Sequence, residues 1–497
     1  MCGFVGCFRE DRSAGPPSVA LPVLLRTLRH RGPDGSGFHQ GASAALGHVR
    51  LAILDVAGGG QPMGSDEGRR WIVHNGEIYN FRELGAALEG RPLRTRSDTE
   101  VILRLYEDFG PSCLTRFDGM YAFALLDGHD LFLARDPLGV KPLYICRREG
   151  WLYFASEIKA LLPVSPNIQE FPPGHWYHSR QGLRRFFDLK GWTTPRAPHE
   201  EPVAAVREAM RESVRKRMVS DVPVGVFLSG GLDSSLVAAL MRPHVEELHS
   251  FSVGMEGSED LAFARRVSEH LGTIHHEKTF TEEEMRAVLP EVIRHLESFD
   301  FALVRSAIAN FMVAELAART LKVVLVGEGA DEIFAGYHYL KGLSHQEYAD
   351  ELMRITAALH NSNLQRVDRM TMAHGIEGRE PFLDLALLRV AFAIPPEVHR
   401  KDRMEKGVLR RAAEGLLPSE VVWRSKEKFS RGAGSAQVFE RIAEREIGDA
   451  QFERGRVLPN GLQLRSKEEM WYYEVFRRFF PDSVAACLGW TAQPQAR

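Results

Sequence analysis

The sequence predicts a protein of two halves: an α+β half with antiparallel sheets, followed by an α/β half with a doubly wound parallel sheet and a helical C-terminal part. Two observations support this division. Up to about residue 160, apolar runs are short and turn-bounded, as in "GMYAFALLDGHDLFLARD" from Gly119 to Asp136. From about residue 200, apolar strands alternate with amphipathic helices, a pattern typical of a parallel sheet with helices on both faces.

Bulk composition narrows the class of protein. The chain has 497 residues, too many for one hydrophobic core, and 44% hydrophobic and 26% charged residues are ordinary for a globular protein. A formal net charge of -3 gives no general attraction to nucleic acid or to acidic membranes. No apolar run approaches the roughly 18 residues of a membrane span. Charged residues from Arg9 to Arg12 stand where a signal peptide would be apolar, and the five cysteines are scattered. We therefore expect a cytoplasmic enzyme.

The elements of the N-terminal half follow from local pattern. Two hairpins are expected, one turning at Asp127-Gly128 and one at Glu149-Gly150. Helical spacing of Val101, Leu105 and Phe109 predicts a helix in "SDTEVILRLYEDFG", which begins near Asp98 and ends before Gly110.

The second half begins after a Pro-rich polar stretch, "KGWTTPRAPHEEP", which we interpret as a linker between domains at residues 2–190 and 201–497. The next apolar face predicts a helix; its members are Val203, Val206, Met210, Val214 and Met218. "VPVGVFL", "LHSFSVGM" and "LKVVLVG" predict strands, with helices between them. Thr281 and Glu284 form a capping box at the start of one of these helices.

The most specific local signal is "FLSGGLDSS", from Phe227 to Ser235. It follows a buried strand and opens a helix, where backbone N–H groups favour an anion such as a phosphate. The Lys of a Walker loop is missing, and the glycine amides and serine hydroxyls form the nest of donors instead. Asp233 repels phosphate, so its place here indicates a bound magnesium ion.

A second turn, "VLVGEGADEIFAGY", follows another strand. Ligands of open parallel sheets bind where strands end, so the two turns are expected to face one crevice. Asp331 is the candidate second magnesium ligand, and Glu328 is free for proton transfer. Taken alone, Asp331 and Glu332 could equally cap the next helix.

Taken together, the motifs resemble a known family. "SGGLDSS" is similar to the pyrophosphate loop of ATP pyrophosphatases. With "GEGADE", "DRMTMAHGIEGREPFLD" and "WRSKEKFSRGAG", the C-terminal half resembles the synthetase domain of glutamine-dependent asparagine synthetases. The N-terminal half is similar to their class II glutaminase domain, an N-terminal nucleophile fold, in "MCGFVG", "RHRGPDGSG", "RLAILD", "NGEIYN" and "SDTEVIL".

The resemblance implies that Cys2 is the glutaminase nucleophile. A thiol with an unperturbed pKa near ~8.5 needs a base, and removal of Met1 frees an α-amine that titrates near ~7.7–8.0. One residue then supplies nucleophile and base. The tetrahedral intermediate needs fixed donors for its oxyanion, and by resemblance these are the Asn75 side chain and the Gly76 amide.

The resemblance also implies a set of substrate contacts. Arg50 suits the α-carboxylate of glutamine, and Asp98 and Glu77 suit its α-ammonium. The implied glutamine site comprises Arg50, Leu51, Ile53, Asn75, Gly76, Glu77 and Asp98. The implied ATP site comprises Leu228, Ser229, Gly230, Gly231, Asp233, Ser234, Ser235, Val253, Val326 and Gly327. Lys426 matches the family's lysine that stabilises charge on the transferred phosphoryl group.

Two departures affect the expected acyl substrate. Val326 stands where the family usually has Ser or Thr, which removes a hydroxyl near the nucleotide. "DFALVRSAI" replaces a Thr-rich segment, although Arg305 is retained and could hold a carboxylate. Aspartate is therefore the leading substrate.

Three hypotheses remain at this point. The first is an asparagine synthetase that uses ATP, Mg²⁺, glutamine and aspartate. The second is an amide-forming ligase that acts on another carboxylate in a specialised pathway. The third is a non-catalytic paralogue, which would be expected to have lost Cys2, Asp233 or Glu328. No nucleic-acid or membrane partner is expected, and a homodimer is one option for assembly.

Overall fold

A computed structural model of the protein describes residues 2–11, 16–88, 91–193, 200–399, 404–425 and 435–490. Within these ranges, the N-terminal half contains two six-stranded antiparallel sheets, as predicted. In spatial order the first sheet consists of β10 (Gln169–Glu170), β8 (Tyr144–Arg148), β9 (Trp151–Ala155), β1 (Gly3–Arg9), β3 (Ala44–Arg50) and β2 (Gly35–Gln40). The second consists of β12 (Gly182–Arg185), β11 (His175–His178), β7 (Asp130–Arg135), β6 (Gly119–Asp127), β5 (Arg70–Ile78) and β4 (Met63–Gly64).

The two antiparallel sheets share an apolar core. Alternate residues of each strand contribute to it, as the period of two along a strand requires. This core contains Phe4, Phe8, Leu46, Val73, Ala122, Ala124, Leu131, Leu133, Leu152 and Phe154. Both predicted hairpins are confirmed, because β6 pairs with β7 and β8 pairs with β9.

The C-terminal half contains a parallel sheet. Its strands, in spatial order, are β15 (Ile274–Thr279), β14 (His249–Gly254), β13 (Val224–Phe227), β16 (Val323–Leu325) and β17 (Glu377–Arg379). The chain adds strands on one side of β13 and then on the other, so the strand order reverses between β13 and β16. Such a switch point opens a crevice at the carboxyl ends of the strands.

Helices cover both halves. Those of the described residues are α1 (Leu21–Arg26), α2 (Phe81–Ala86), α3 (Asp98–Phe109), α4 (Leu189–Thr193), α5 (Pro202–Arg217), α6 (Leu232–Met241), α7 (Glu259–Leu271), α8 (Glu282–Leu296), α9 (Phe301–Ala317), α10 (Ala330–Ile333), α11 (His345–Ala357), α12 (Asn363–Met372), α13 (Leu385–Phe392), α14 (Pro396–His399), α15 (Gly407–Ala413), α16 (Ser419–Val422), α17 (Ser435–Glu446), α18 (Asp449–Gly455) and α19 (Lys467–Phe476). No helix in these ranges is long and apolar enough to cross a membrane.

Local sequence signals explain several helix boundaries. The Ser97 hydroxyl accepts a hydrogen bond from the Thr99 amide at the start of α3. The predicted capping box of Thr281 and Glu284 is present at the start of α8. The stretch that we interpret as a linker begins as α4, whose Trp192 indole donates to the Leu385 carbonyl at 3.0 Å. Residues 194–199 of that stretch lie outside the described residues.

A buried ionic cluster joins the two halves. Arg31 of the N-terminal half forms a two-pronged ion pair with Asp368 of α12, with N–O distances of 2.8 and 3.0 Å. The same guanidinium contacts Glu157 at 2.7 Å, and Arg369 of α12 contacts Glu297 at 3.1 Å. All five side chains are buried. Removing one member of such a pair leaves an uncompensated buried charge, so the cluster fixes how the halves meet.

Candidate active sites

Cys2 lies immediately before β1, at the edge where β5 also passes. Its backbone nitrogen donates a hydrogen bond to Asn75 Oδ1 at 3.0 Å. The residue is only 7% exposed, and burial raises the pKa of its thiol. A thiol in this setting needs a nearby base before it can act as a nucleophile.

Asn75 has an unused donor beside the thiol. Because Asn75 Oδ1 accepts from Cys2, its Nδ2 is left to donate, and it finds no hydrogen-bond partner among the described residues. A buried donor without an acceptor is uncommon and costs free energy, which points to a ligand oxygen. The structure therefore brings together Cys2 and one of the two predicted oxyanion donors.

Gly76 can only be glycine in this strand. Its φ is +147°, and an added Cβ would lie 2.0 Å from the Met120 carbonyl oxygen of β6. Absence of a side chain lets β5 approach β6 and keeps the Gly76 amide beside Asn75.

The end of β3 and the loop after it carry three predicted glutamine contacts. Leu51 and Ile53 are buried, with 3% and 2% exposure. The Arg50 guanidinium donates to backbone carbonyls of residues 54–56, the closest being Asp55 at 2.7 Å. Its role with the α-carboxylate stays a prediction, and the carbonyl contacts hold the guanidinium in one place.

The two predicted acceptors for the α-ammonium are both buried carboxylates. Asp98 Oδ2 accepts from the Ile78 amide at 2.9 Å, and burial raises the pKa of Asp98 to about 6. Burial and the negative charge of Glu377 raise the pKa of Glu77. Glu77 Oε1 also lies 3.5 Å from Arg379 Nη2, a side chain supplied by β17 of the parallel sheet.

The backbone of the nucleophile is itself tied to the second half of the protein. Arg31 Nε donates to the Cys2 carbonyl at 3.0 Å, while the other end of the guanidinium pairs with Asp368. Sequence reasoning passed over Arg31 although it lies in "RHRGPDGSG", because no local pattern indicates a partner more than 300 positions away.

A cavity of about 410 Å³ opens at the carboxyl ends of β13, β14 and β16. Both glycine-rich turns line it, so the structure brings the two predicted turns to one crevice. The two turns also pack closely against each other: a Cβ added to Gly327 of the second turn would lie 2.9 Å from the Ser234 amide nitrogen of the first. The candidate nucleotide contacts Leu228, Val253 and Val326 line the same space.

The first turn is shaped by its small residues. Gly230 has φ +70°, and an added Cβ would lie 2.5 Å from the Ala264 amide nitrogen of α7. The hydroxyls of Ser229 and Ser234 lie 3.0 Å apart, and the Ser229 amide donates to Ser234 Oγ at 3.1 Å. Ser235 Oγ is buried without a hydrogen-bond partner among the described residues.

The two candidate magnesium ligands converge on one cation. Lys406 Nζ lies 2.5 Å from Asp233 Oδ2 and 2.5 Å from Asp331 Oδ1. Two carboxylates from separate turns can therefore serve a single positive ion, which fits the donor set that magnesium prefers.

Two other charged residues of the cavity are paired within the protein. Glu328, the candidate proton acceptor, lies 2.5 Å from Arg366 Nη2 of α12. Arg305, the candidate clamp for a substrate carboxylate, donates through Nε to Glu468 at 2.7 Å and through Nη2 to Glu440 at 2.7 Å. For Glu328 to accept a proton, Arg366 has to share or release it. For Arg305 to bind a substrate carboxylate, its two glutamates have to do the same.

Other predicted residues have simpler settings. The Val326 amide donates to the Arg379 carbonyl at 2.9 Å, so that donor is used in the sheet edge. Lys426 lies outside the described residues. Sequence reasoning also missed Lys406, since "DRMEKGVLRR" carries no glycine turn or spacing that marks a site.

Known proteins resemble the chain over nearly its whole length. A "Glutamine amidotransferase domain" family model matches residues 1–217, and an "Asparagine synthase" family model matches residues 205–354 and 341–495. Asparagine synthetase B [glutamine-hydrolyzing] of Escherichia coli (strain K12) is 39% identical, covering 98% of this chain and 93% of the relative. Asparagine synthetase [glutamine-hydrolyzing] 2 of Arabidopsis thaliana is 40% identical, covering 98% and 88%.

A further relative, asparagine synthetase [glutamine-hydrolyzing] of Triphysaria versicolor, is 38% identical and covers 98% of this chain and 87% of its own length. The chain has a cysteine site on the antiparallel sheets and a cavity with glycine-rich turns on the parallel sheet. This combination defines a two-site amidotransferase. The chain belongs to the asparagine synthase family.

Proposed function

We propose that the protein makes asparagine from aspartate, with glutamine as the nitrogen donor and ATP as the source of activation. The products are asparagine, AMP, pyrophosphate and glutamate. The observation that carries the proposal is the pairing of both halves in one chain: Cys2 lies against Asn75, and two glycine-rich turns line one cavity. Relatives that are 38–40% identical across both halves support aspartate over another acid.

The first reaction takes place at Cys2. Once Met1 is removed, the α-amine takes the thiol proton, and the thiolate attacks the side-chain carbonyl of glutamine. The oxyanion forms next to the unused donor, Asn75 Nδ2. The α-ammonium returns this proton to the leaving nitrogen, ammonia departs, and water then hydrolyses the thioester to glutamate. Asp98 and Glu77 hold the α-ammonium, and Arg50 holds the α-carboxylate.

Ammonia then has to cross to the second site without gaining a proton, because ammonium has no lone pair for attack. Buried groups between the sites support such a crossing. Arg379 and Glu377 of β17 are both 0% exposed. Arg379 contacts Glu77 on one side, and its carbonyl accepts from Val326 on the other. We infer that the water-excluding route runs along this strand.

The second reaction takes place in the cavity. A carboxylate oxygen of aspartate attacks the α-phosphorus of ATP, the bond to the β-phosphate breaks, and pyrophosphate leaves into the donors of residues 229–235. Leu228 and Val253 contact the purine. Ammonia then attacks the acyl carbon, Glu328 takes a proton from the attacking nitrogen, and AMP leaves.

Mg²⁺ fits the two carboxylates that meet at Lys406, so Asp233 and Asp331 would hold it. When bound, it would neutralise phosphate charge during adenylation. Arg424 adds a fixed positive charge nearby, since its Nη1 lies 3.4 Å from the Gly230 carbonyl of the first turn.

The test is product formation by purified protein with a panel of carboxylic acids. Aspartate should give asparagine, AMP and pyrophosphate in equal amounts, with glutamate when glutamine is the nitrogen source. Turnover of another acid with no asparagine formed from aspartate would overturn the proposal. Pyrophosphate release without any new amide would contradict ammonia transfer.

We also propose a cytoplasmic location and two functional domains at residues 2–190 and 201–497. All five cysteines are free thiols, which supports a reducing compartment. A homodimer is part of this proposal, and sedimentation of the purified protein would test it.

A further inference from the structure

Lys406 has an unusual backbone for its residue type. It precedes α15 with φ +59° and ψ +32°, the left-handed region that residues other than glycine and asparagine seldom adopt. The residue is 4% exposed. Burial of the lysine charge is costly unless the charge is paired, and the strained backbone adds to that cost. The surrounding structure must therefore hold Lys406 in place through specific contacts.

Its ammonium is placed between two carboxylates that arrive from different parts of the chain. Asp233 belongs to the turn after β13 and Asp331 to the turn after β16, and each lies 2.5 Å from Lys406 Nζ. Without a cation between them, these two carboxylates would repel each other across the switch point of the sheet. The Lys406 ammonium therefore occupies the position where a shared metal ion would neutralise the two carboxylates.

Two charged residues nearby have partners of their own. Glu405, the residue before Lys406, pairs with Lys341 at 2.7 Å and with His338 at 3.1 Å. Arg424 pairs with Asp260 at 2.9 Å. The lysine stem is flexible and unbranched, so its ammonium can leave the carboxylates by bond rotation while the backbone stays in place.

We propose that Lys406 is a resident counter-ion for the metal site. It holds Asp233 and Asp331 together in the nucleotide-free protein, excludes a divalent cation from them, and is displaced when the nucleotide arrives with its own cation. After displacement the ammonium pairs with phosphate oxygens. The proposal rests on the proposed function, because it takes Asp233 and Asp331 as the metal ligands.

The first test measures binding of Mn²⁺ to nucleotide-free protein by electron paramagnetic resonance. Lys406→Met keeps the length of the side chain and removes the charge. It should bind one Mn²⁺ about tenfold or more tightly than the wild type, since the lysine-occupied state no longer reduces the competent fraction. Lys406→Arg keeps the charge and should bind as weakly as the wild type.

Lys341→Met is the matched control, because it removes a neighbouring lysine that pairs with Glu405 at 2.7 Å. It should leave Mn²⁺ binding unchanged. Equal Mn²⁺ affinity in the wild type and Lys406→Met would overturn the counter-ion proposal. If Lys406→Met does not fold, Lys406→Gln supplies the same loss of charge.

A double variant separates this proposal from the proposed function. Asp233→Asn added to Lys406→Met should abolish the gain in Mn²⁺ affinity. If the gain persists, the ion binds elsewhere, and the assignment of Asp233 as a metal ligand is wrong. Thermal unfolding gives a second readout: in EDTA, Lys406→Met should melt at a lower temperature than the wild type, and Mg²⁺ should restore most of that loss. A melting temperature that Mg²⁺ leaves unchanged would contradict the proposal.

Discussion

The two candidate sites are organised differently. At Cys2 the side chains are positioned by strands, and Asn75 Nδ2 stays unpaired among the described residues. In the cavity of the parallel sheet, the charged side chains are already paired: Lys406 with two aspartates, Glu328 with Arg366, and Arg305 with two glutamates. The first site keeps one donor open, whereas under the proposed function the second would exchange internal ion pairs for substrate contacts.

This difference makes the two sites separable by substitution, and the largest effect is expected at Cys2. Cys2→Ala should abolish glutamine-driven formation of product and leave ammonia-driven formation near the wild-type rate, because the thiol acts only in the first site. Product measured with glutamine and with ammonium chloride checks this. Cys7→Ala is the control, since Cys7 is buried in β1 away from the reaction. Equal loss with both nitrogen sources would contradict the division into two sites.

A smaller loss tests the arrangement of the first site. Asn75→Ala removes the unpaired donor and should lower kcat of the glutaminase reaction by roughly 10²–10³, the usual effect of losing one oxyanion donor. Steady-state glutamate release measures it. Asn80→Ala is a matched control, because Asn80 Nδ2 donates to the Arg116 carbonyl instead. A change confined to KM would assign Asn75 to substrate binding.

The paired character of the second site can be tested at Arg305. If Arg305 exchanges its glutamates for the α-carboxylate of aspartate, Arg305→Ala should raise the KM for aspartate at least about tenfold and leave ATP binding near normal. Pyrophosphate release with aspartate and with 3-aminopropanoate, which lacks one carboxylate, measures this.

Arg465→Ala provides the control for Arg305. Arg465 pairs with Glu469 and Asp300 beside the same helix, but it does not line the cavity. An unchanged KM for aspartate in Arg305→Ala, or equal turnover of the two acids by the wild type, would show that Arg305 serves only its glutamates.

The smallest effect concerns pH. Asp98 must be ionised to hold an ammonium, and burial raises its pKa to about 6. Lowering the pH from 7 to 6 should therefore protonate about half of it and raise the KM for glutamine roughly twofold, with a steeper rise below pH 6. Ammonia-driven synthesis, corrected for free ammonia, is the control. A KM for glutamine that stays flat over this range would remove Asp98 from the binding role.

Sequence reasoning identified candidate site residues where they lie close together in the chain. The turns at Ser229 and Glu328 were recognisable because glycines, serines and carboxylates follow apolar strands in short order. Alternation of apolar and polar residues predicted antiparallel sheets in the first half, and alternation of strands with helices predicted the parallel sheet in the second. Partners that are distant in sequence could not be predicted, since nothing near Arg305 indicates Glu468. Lys406 could not be recognised as a candidate site residue either, because a single lysine before a helix is common. Only the fold places it between two aspartates.

Helix α12 contacts both candidate sites. Arg366 holds Glu328 in the second site, while Asp368, two residues along, holds Arg31 and through it the Cys2 carbonyl. Because one helix supplies a contact to each site, a displacement of α12 in one half would move a contact in the other half. A substitution in α12 that is remote from both substrates is therefore expected to change glutamine hydrolysis and amide formation together.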